Sequence, residues 1–196
     1  MQNSVEQKII DAYDNAFAIF KQKLGGYGPA WIGFSSLGFA DQIYIKTHRY
    51  ITLVRKPDRK IPDPPELELY AIINYCVLFL ISRDRQIVCD IFPSPFALFE
   101  SPSIASQKKL INHYKCEIEK ALDLYKLKDH DYGTAWKDLS IQGMADIIFA
   151  KTIRLKSMLS AGRTPMDGTD PDGIEATLRD LVVYSAFALV LGNYLN

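Results

Sequence analysis

The chain has 196 residues, 48% hydrophobic and 23% charged, which is ordinary for a soluble globular protein with room for one large core or two small interlocked ones. Its formal net charge is +0, so the basic footprint of a duplex nucleic-acid binder is missing at whole-chain level. The odd set Cys76, Cys89 and Cys116 forms no CxxC pair and has no His at metal spacing, which excludes a disulfide framework or zinc motif and predicts reduced, mostly buried thiols in a cytoplasmic protein.

The N-terminal residues 1–8 are polar and mixed in charge, unlike a signal peptide. Val5, Ile9, Tyr13, Phe17, Phe20 and Leu24 recur at helical spacing and predict a first helix from about Val5 to Leu24, capped by Ser4 with Gln7 or Asn3 with Glu6 and stopped by Gly25-Gly26. A loop with Tyr27, Gly28 and Trp31 follows. Ser35 then reads as the N-cap of a second helix, about Ser36 to Lys56, with a core stripe of Leu37, Ala40, Tyr44, Thr47, Ile51 and Val54. After a basic loop, Lys56 to Pro62, the run Asp63-Pro64-Pro65-Glu66 is a helix start signal, with Asp63 as cap and Glu66 as its capping-box partner. The helix it opens is apolar nearly all round through Leu69, Ile73, Tyr75, Val77 and Leu80, so it belongs at the centre and can continue into Arg83 to Arg85. Its apolar run, Tyr70 to Ile81, is too short to span a bilayer and contains Asn74.

Pro93, Pro95 and Pro102 mark a connector, Phe92 to Pro102, because proline breaks helices and strands alike. A fourth helix is predicted from about Ile104 to Lys128 and a fifth from about Ile141 to Leu159, capped by Ser140. A Gly- and Asp-rich loop, Ala161 to Gly173, leads to a sixth that starts at Asp172 with Glu175 three residues on. No strand pattern appears.

The second half repeats the first. At a constant offset of 105, residues 132–154 match residues 27–49 at 12 of 23 positions, where about one or two are expected by chance. The matches include Tyr27/Tyr132, Trp31/Trp136, Asp41/Asp146, Lys46/Lys151, Thr47/Thr152 and Arg49/Arg154. The last helices match at offset 109, through Asp63/Asp172, Glu66/Glu175 and Tyr75/Tyr184. The expected fold is all-α: two pseudo-twofold-related three-helix units packed as one helical bundle. Residues 1–91 form the first unit, 92–103 the connector and 104–196 the second, all in one compact domain.

The repeated residues carry either chemistry or fold. Lys46 and Arg49, like Lys151 and Arg154, neighbour each other on a helix surface, where two cations repel unless an anion or a facing carboxylate lies between them. A bidentate Arg fork with a Lys point charge suits phosphate. Asp41 and Asp146 can hold a hydrated Mg²⁺ or accept loop N–H groups. The structural alternative is a cross-pairing, Asp41 with Arg154 and Asp146 with Arg49. Tyr27, Trp31, Tyr132 and Trp136 can stack a base or pack a loop onto the core. His130-Asp131, present in the second copy only, is a candidate general base or phosphate contact, or an exposed loop pair. His48 and His113 have no metal-ligand partners, and Ser35, Ser140, Glu66 and Glu175 read as caps.

The order Tyr-Gly-x-Ala-Trp, then Asp-x4-Lys-Thr-x-Arg, then a capped apolar helix with Tyr, given twice, resembles the nucleotide-modification-associated domain 1 family. The likeness covers residues 17–81 and 121–192. The second copy is the closer match, since the first has Gly25-Gly26 where the second has His130-Asp131. The family is associated with modified-base nucleotide metabolism, so the resemblance implies a nucleotide-related role. A more distant likeness, to the all-α nucleotide pyrophosphohydrolases, implies a nucleoside triphosphate and Mg²⁺. That chemistry requires carboxylates spaced Glu-x-x-Glu and Glu-x-x-Asp on two helices. Here Asp11 and Asp14 have such spacing, but Glu117 and Glu119 do not face the same way, and Asp180 stands where the first copy has Ala71.

The preferred expectation is a domain that binds, and in an enzymatic version processes, a nucleotide or other small phosphorylated ligand. The Lys/Arg pairs would hold phosphates, Asp41 and Asp146 a Mg²⁺, and the aromatics the base. The second copy is the expected functional one, with His130, Asp131, Asp146 and Asp180 as catalytic candidates. The alternative is a non-catalytic helical interaction module whose repeated charges are internal salt bridges. No membrane contact is expected, duplex nucleic acid is disfavoured, and a homodimer is left open.

Overall fold

The computed structural model of the chain describes residues 4–27, 30–56, 60, 63–92, 102–163, 170 and 172–194, without the side chains of residues 25–27 and 132. Among them are seven α-helices: α1 Val5–Tyr27, α2 Ser36–Arg55, α3 Glu66–Ser82, α4 Arg85–Ile91, α5 Ile104–Tyr132, α6 Ile141–Ser160 and α7 Ile174–Leu191. Two short 3-10 turns, Ala30–Gly33 and Ala135–Asp138, carry the tryptophans. No strand occurs among the described residues, and the fold is all-α as expected. Most of the connector (93–101) and of the loop before α7 (164–169 and 171) lies outside the described residues.

The helices pair by position in the repeat. α3 packs on α7 and α2 on α6, while α2 also lies on α3 and α6 on α7. On the opposite side α1 and α5 each touch both α3 and α7. The result is three layers of two helices, with α3 and α7 in the middle. This is why their sequences lack a polar face: 13 of the 17 residues of α3 are buried, which requires cover on both sides. Within α3 the buried Asn74 donates to the Ala16 carbonyl of α1 and accepts from the Tyr114 hydroxyl of α5, so the central layer's one interior amide ties both outer helices. Among the described residues no helix is long and apolar enough to cross a membrane.

Ser35 and Ser140 cap α2 and α6, each hydroxyl accepting the N–H of the glycine three residues on, Gly38 or Gly143, at 3.0 Å. A side chain at Gly38 or Gly143 would put its Cβ 3.4 or 3.3 Å from that hydroxyl, so the repeated glycine leaves the cap room.

Several expectations are corrected. α1 runs through Gly25-Gly26 to Tyr27, matching α5, which ends at Tyr132; glycine costs about 1 kcal/mol in a helix but retains its N–H, so it weakens without stopping. The predicted α2 stripe is too narrow. Leu37 is 44% exposed, and Phe39, Ile43 and Tyr50 are buried instead beside Ala40, Thr47 and Ile51, because α2 packs on two neighbours at once. The capping boxes at Asp63/Glu66 and Asp172/Glu175 do not form. α3 starts from Pro65 and α7 from Gly173 without side-chain caps, and ion pairs claim Asp63, Asp172 and Glu175. The charged stretch after α3 starts a separate helix, since Asp84 accepts the N–H groups of Gln86 and Ile87. Of the three thiols only Cys76 is buried; Cys89 and Cys116 are exposed.

Candidate functional site

The repeated cations face carboxylates of the same chain. In the first copy the α3 residue Glu68, only 3% exposed, lies 2.9 Å from the Arg49 guanidinium and 3.4 Å from Lys46 Nζ. Arg49 also holds Asp63 at 2.8 Å. The Asp63 hydrogen bond and then the Glu68 charge hold the guanidinium above its usual value. In the second copy Arg154 makes the corresponding pair with Asp172 at 3.0 Å, while Lys151 and Lys128 grip the two oxygens of Asp180 at 2.6 and 2.7 Å. Burial alone would lower the Lys128 ammonium's pKa, but Asp180 and Tyr184 outweigh it and raise the value.

A pseudo-twofold axis passes between α2 and α6, where the buried equivalents Thr47 and Thr152 meet hydroxyl to hydroxyl at 3.1 Å. The aspartates do cross between copies, but to other cations than expected: Asp41 pairs with Lys156 and Asp146 with Arg55, each at 2.6 Å. The antiparallel helices put the start of one beside the last turns of the other, beyond Arg154 and Arg49. Among the described residues no group of three or more His, Cys, Asp or Glu comes together that could hold a metal. His130 is 87% exposed, its Nδ1 2.9 Å from the less exposed Asp131, at the end of α5.

The tryptophans behave differently in the two copies. Trp136, 8% exposed, lies flat on Phe187 with ring centroids 4.0 Å apart and 3° between planes. Its Nε1 donates to Asp129 at 3.3 Å. Trp31, 7% exposed, meets Phe39 and Phe92 at steep angles, and its buried Nε1 has no hydrogen-bond partner among the described residues. Beside it opens a cavity of ≈ 370 Å³, walled by Leu24, Trp31, Ala71, Tyr75 and Leu78, with Lys23 also on its lining. Lys23 and Ala30 are exposed and mark the mouth. The side chains of Tyr27 and Tyr132 lie outside the described residues.

The cavity thus opens in the first copy, with part of the Tyr-Gly-x-Ala-Trp loop as its wall, although function was expected in the second. None of Lys46, Arg49, Lys151 or Arg154 lines it. Lys23, Leu24, Ala71, Tyr75 and Leu78 were missed by sequence reasoning. The signal for three of them lies in differences between the copies: Leu24 stands for Asp129, Ala71 for Asp180 and Leu78 for Phe187.

The sequence profile described as nucleotide modification associated domain 1 matches residues 23–82 and 128–191, once in each copy. No curated protein and no solved structure matches the chain.

Proposed function

Because the chain belongs to the nucleotide modification associated domain 1 family, we propose that it binds a nucleotide-derived small molecule in the cavity against Trp31. The observation that carries this reading is the cavity itself. Its ≈ 370 Å³ falls in the range of small-ligand pockets, and its mainly apolar wall with a few polar groups is their usual chemistry. Trp31 and Tyr75 supply faces on which a base can stack, worth about 1–3 kcal/mol. Lys23 at the mouth supplies a cation for phosphate. The repeated Lys/Arg pairs serve the fold, since internal carboxylates already neutralise them. The free thiols fit a reducing, cytoplasmic setting. The function proposed is binding.

Isothermal titration against nucleoside mono-, di- and triphosphates, with and without Mg²⁺, tests this. One nucleotide per chain is expected. Lys151→Ala with Arg154→Ala should lower the melting temperature and leave affinity unchanged, whereas Lys23→Ala should weaken binding on the order of tenfold. Absence of binding across the panel, or loss of binding only in the Lys151/Arg154 variant, overturns the reading.

The pairing of Asp41, Lys46, Arg49, Asp146, Lys151 and Arg154 within the chain favours a second reading, a non-catalytic helical interaction module. It predicts a partner-dependent function and a null result in the same titration.

A further inference from the structure

The second copy holds, built from its own side chains, a pattern for what the first copy's cavity accepts. The two offsets that align the copies are borne out in space. Arg49 with Asp63 and Arg154 with Asp172 are the same pair made twice, each joining a residue of one offset to a residue of the other. On that alignment Lys23 corresponds to Lys128, Trp31 to Trp136 and Tyr75 to Tyr184 without change. Other neighbours differ, and two of the differences, Ala71 for Asp180 and Leu78 for Phe187, put a smaller side chain in the first copy.

In the second copy the Phe187 ring covers the Trp136 face, and the Asp180 carboxylate sits 2.7 Å from Lys128. In the first, Leu78 and Ala71 stand at those positions and both line the cavity. Lys23 has no ion-pair partner among the described residues. Trp31 Nε1 lacks the carboxylate that Asp129 gives Trp136, because Leu24 replaces it. An aromatic ring and an anion are therefore what the second copy has and the first copy lacks, at corresponding positions. Lys46 is engaged by Glu68, which leaves Lys23 as the anion contact.

We infer that the ligand of the first copy carries an aromatic ring and an anionic group roughly 10 Å apart, since Phe187 and Asp180 are seven residues and two turns apart on one helix face at 1.5 Å per residue. The ring lies on Trp31 and the anion meets Lys23. The second copy is the self-filled form of the same site. This rests on the reading that the cavity binds a ligand, and it adds which one: a nucleoside 5′-diphosphate has about this reach, while a nucleoside has the ring without the anion.

Calorimetry on the full chain tests it with three probes: nucleoside 5′-diphosphates, the parent nucleosides, and 6-phenylhexanoate, which sets a ring and a carboxylate at similar spacing without a nucleotide. Ala71→Asp with Leu78→Phe gives the first copy the second copy's filling. The inference predicts that the wild-type chain binds the diphosphates with one site. The filled variant, folded by circular dichroism, should lose at least about tenfold in affinity. Lys23→Ala, which leaves the core untouched, should weaken diphosphates on the order of tenfold and leave nucleosides unchanged. Tight diphosphate binding that survives both variants overturns the inference while the nucleotide reading stands. Binding of phenylhexanoate alone, lost in the filled variant, supports the inference and removes the nucleotide reading. Binding of none of the three overturns both.

Discussion

Glu175 shows how a single side chain is claimed by tertiary contacts over local ones. Three residues from Asp172 it reads as a capping-box glutamate, yet it pairs with Arg83 from the end of α3 and with Arg179 one turn on. Arg179 also reaches Glu117 on α5 at 3.3 Å, so the charge network ties three helices. Burial alone would raise the Glu175 pKa; the two arginines outweigh it and hold the carboxyl below its usual 4.5. A depressed folded-state value means stability that is complete above the unfolded pKa and is lost as pH falls through the folded one. Glu175→Gln should therefore cost about 1–3 kcal/mol near neutral pH, by leaving half-buried guanidinium groups underpaired. The gap to the wild type should close as the pH drops below 4.5 and further. Thermal melts of both proteins from neutral to acidic pH check this; a gap constant with pH would contradict it. The capping reading was reasonable locally, because nothing in a window of four residues announces an arginine ninety positions away.

Helices were legible wherever a long run had one apolar period, and their meeting points were legible only where the repeat supplied them. The caps at Ser35 and Ser140 followed from residue type alone. The width of the buried arc on α2 did not, because it depends on how many neighbours the helix has, and α2 has both α3 and α6. Thr47 and Thr152 make the closest statement of that contact. Thr152 donates its proton to the Ile148 carbonyl of its own helix, so Thr47 is left to donate to Thr152 across the axis. Replacing either threonine by valine leaves a buried hydroxyl with one partner fewer and should cost about 1–2 kcal/mol. The double variant Thr47→Val with Thr152→Val should cost less than the two single losses added, since it removes both polar groups together. Chemical denaturation of the four proteins closes the cycle, and strict additivity would show that the hydroxyls do not communicate.

For the molecule as a whole, duplication supplied the fold, and on the proposed reading the site lies where the two copies differ. The identities between the copies mark what both halves need in order to pack: caps, the axial threonines, and charges that internal carboxylates answer. Reading those identities as a binding site pointed to Lys46, Arg49, Lys151 and Arg154, side chains already engaged within the chain. The cavity is lined where the halves diverge, by Leu24, Ala71 and Leu78, residues too plain to stand out until Trp31 is set beside its counterpart Trp136. On the proposed reading the second site is filled by its own side chains and the first is left open for a ligand. The most direct test uses the fact that the chain has only two tryptophans. In a Trp136→Phe variant Trp31 is the sole indole, and the Phe187 contact keeps an aromatic partner. Titrating this protein with a nucleoside 5′-diphosphate should change the Trp31 emission saturably, reaching its end point at one ligand per chain. An emission spectrum that stays fixed while calorimetry on the same sample records binding would place the ligand elsewhere and contradict the account.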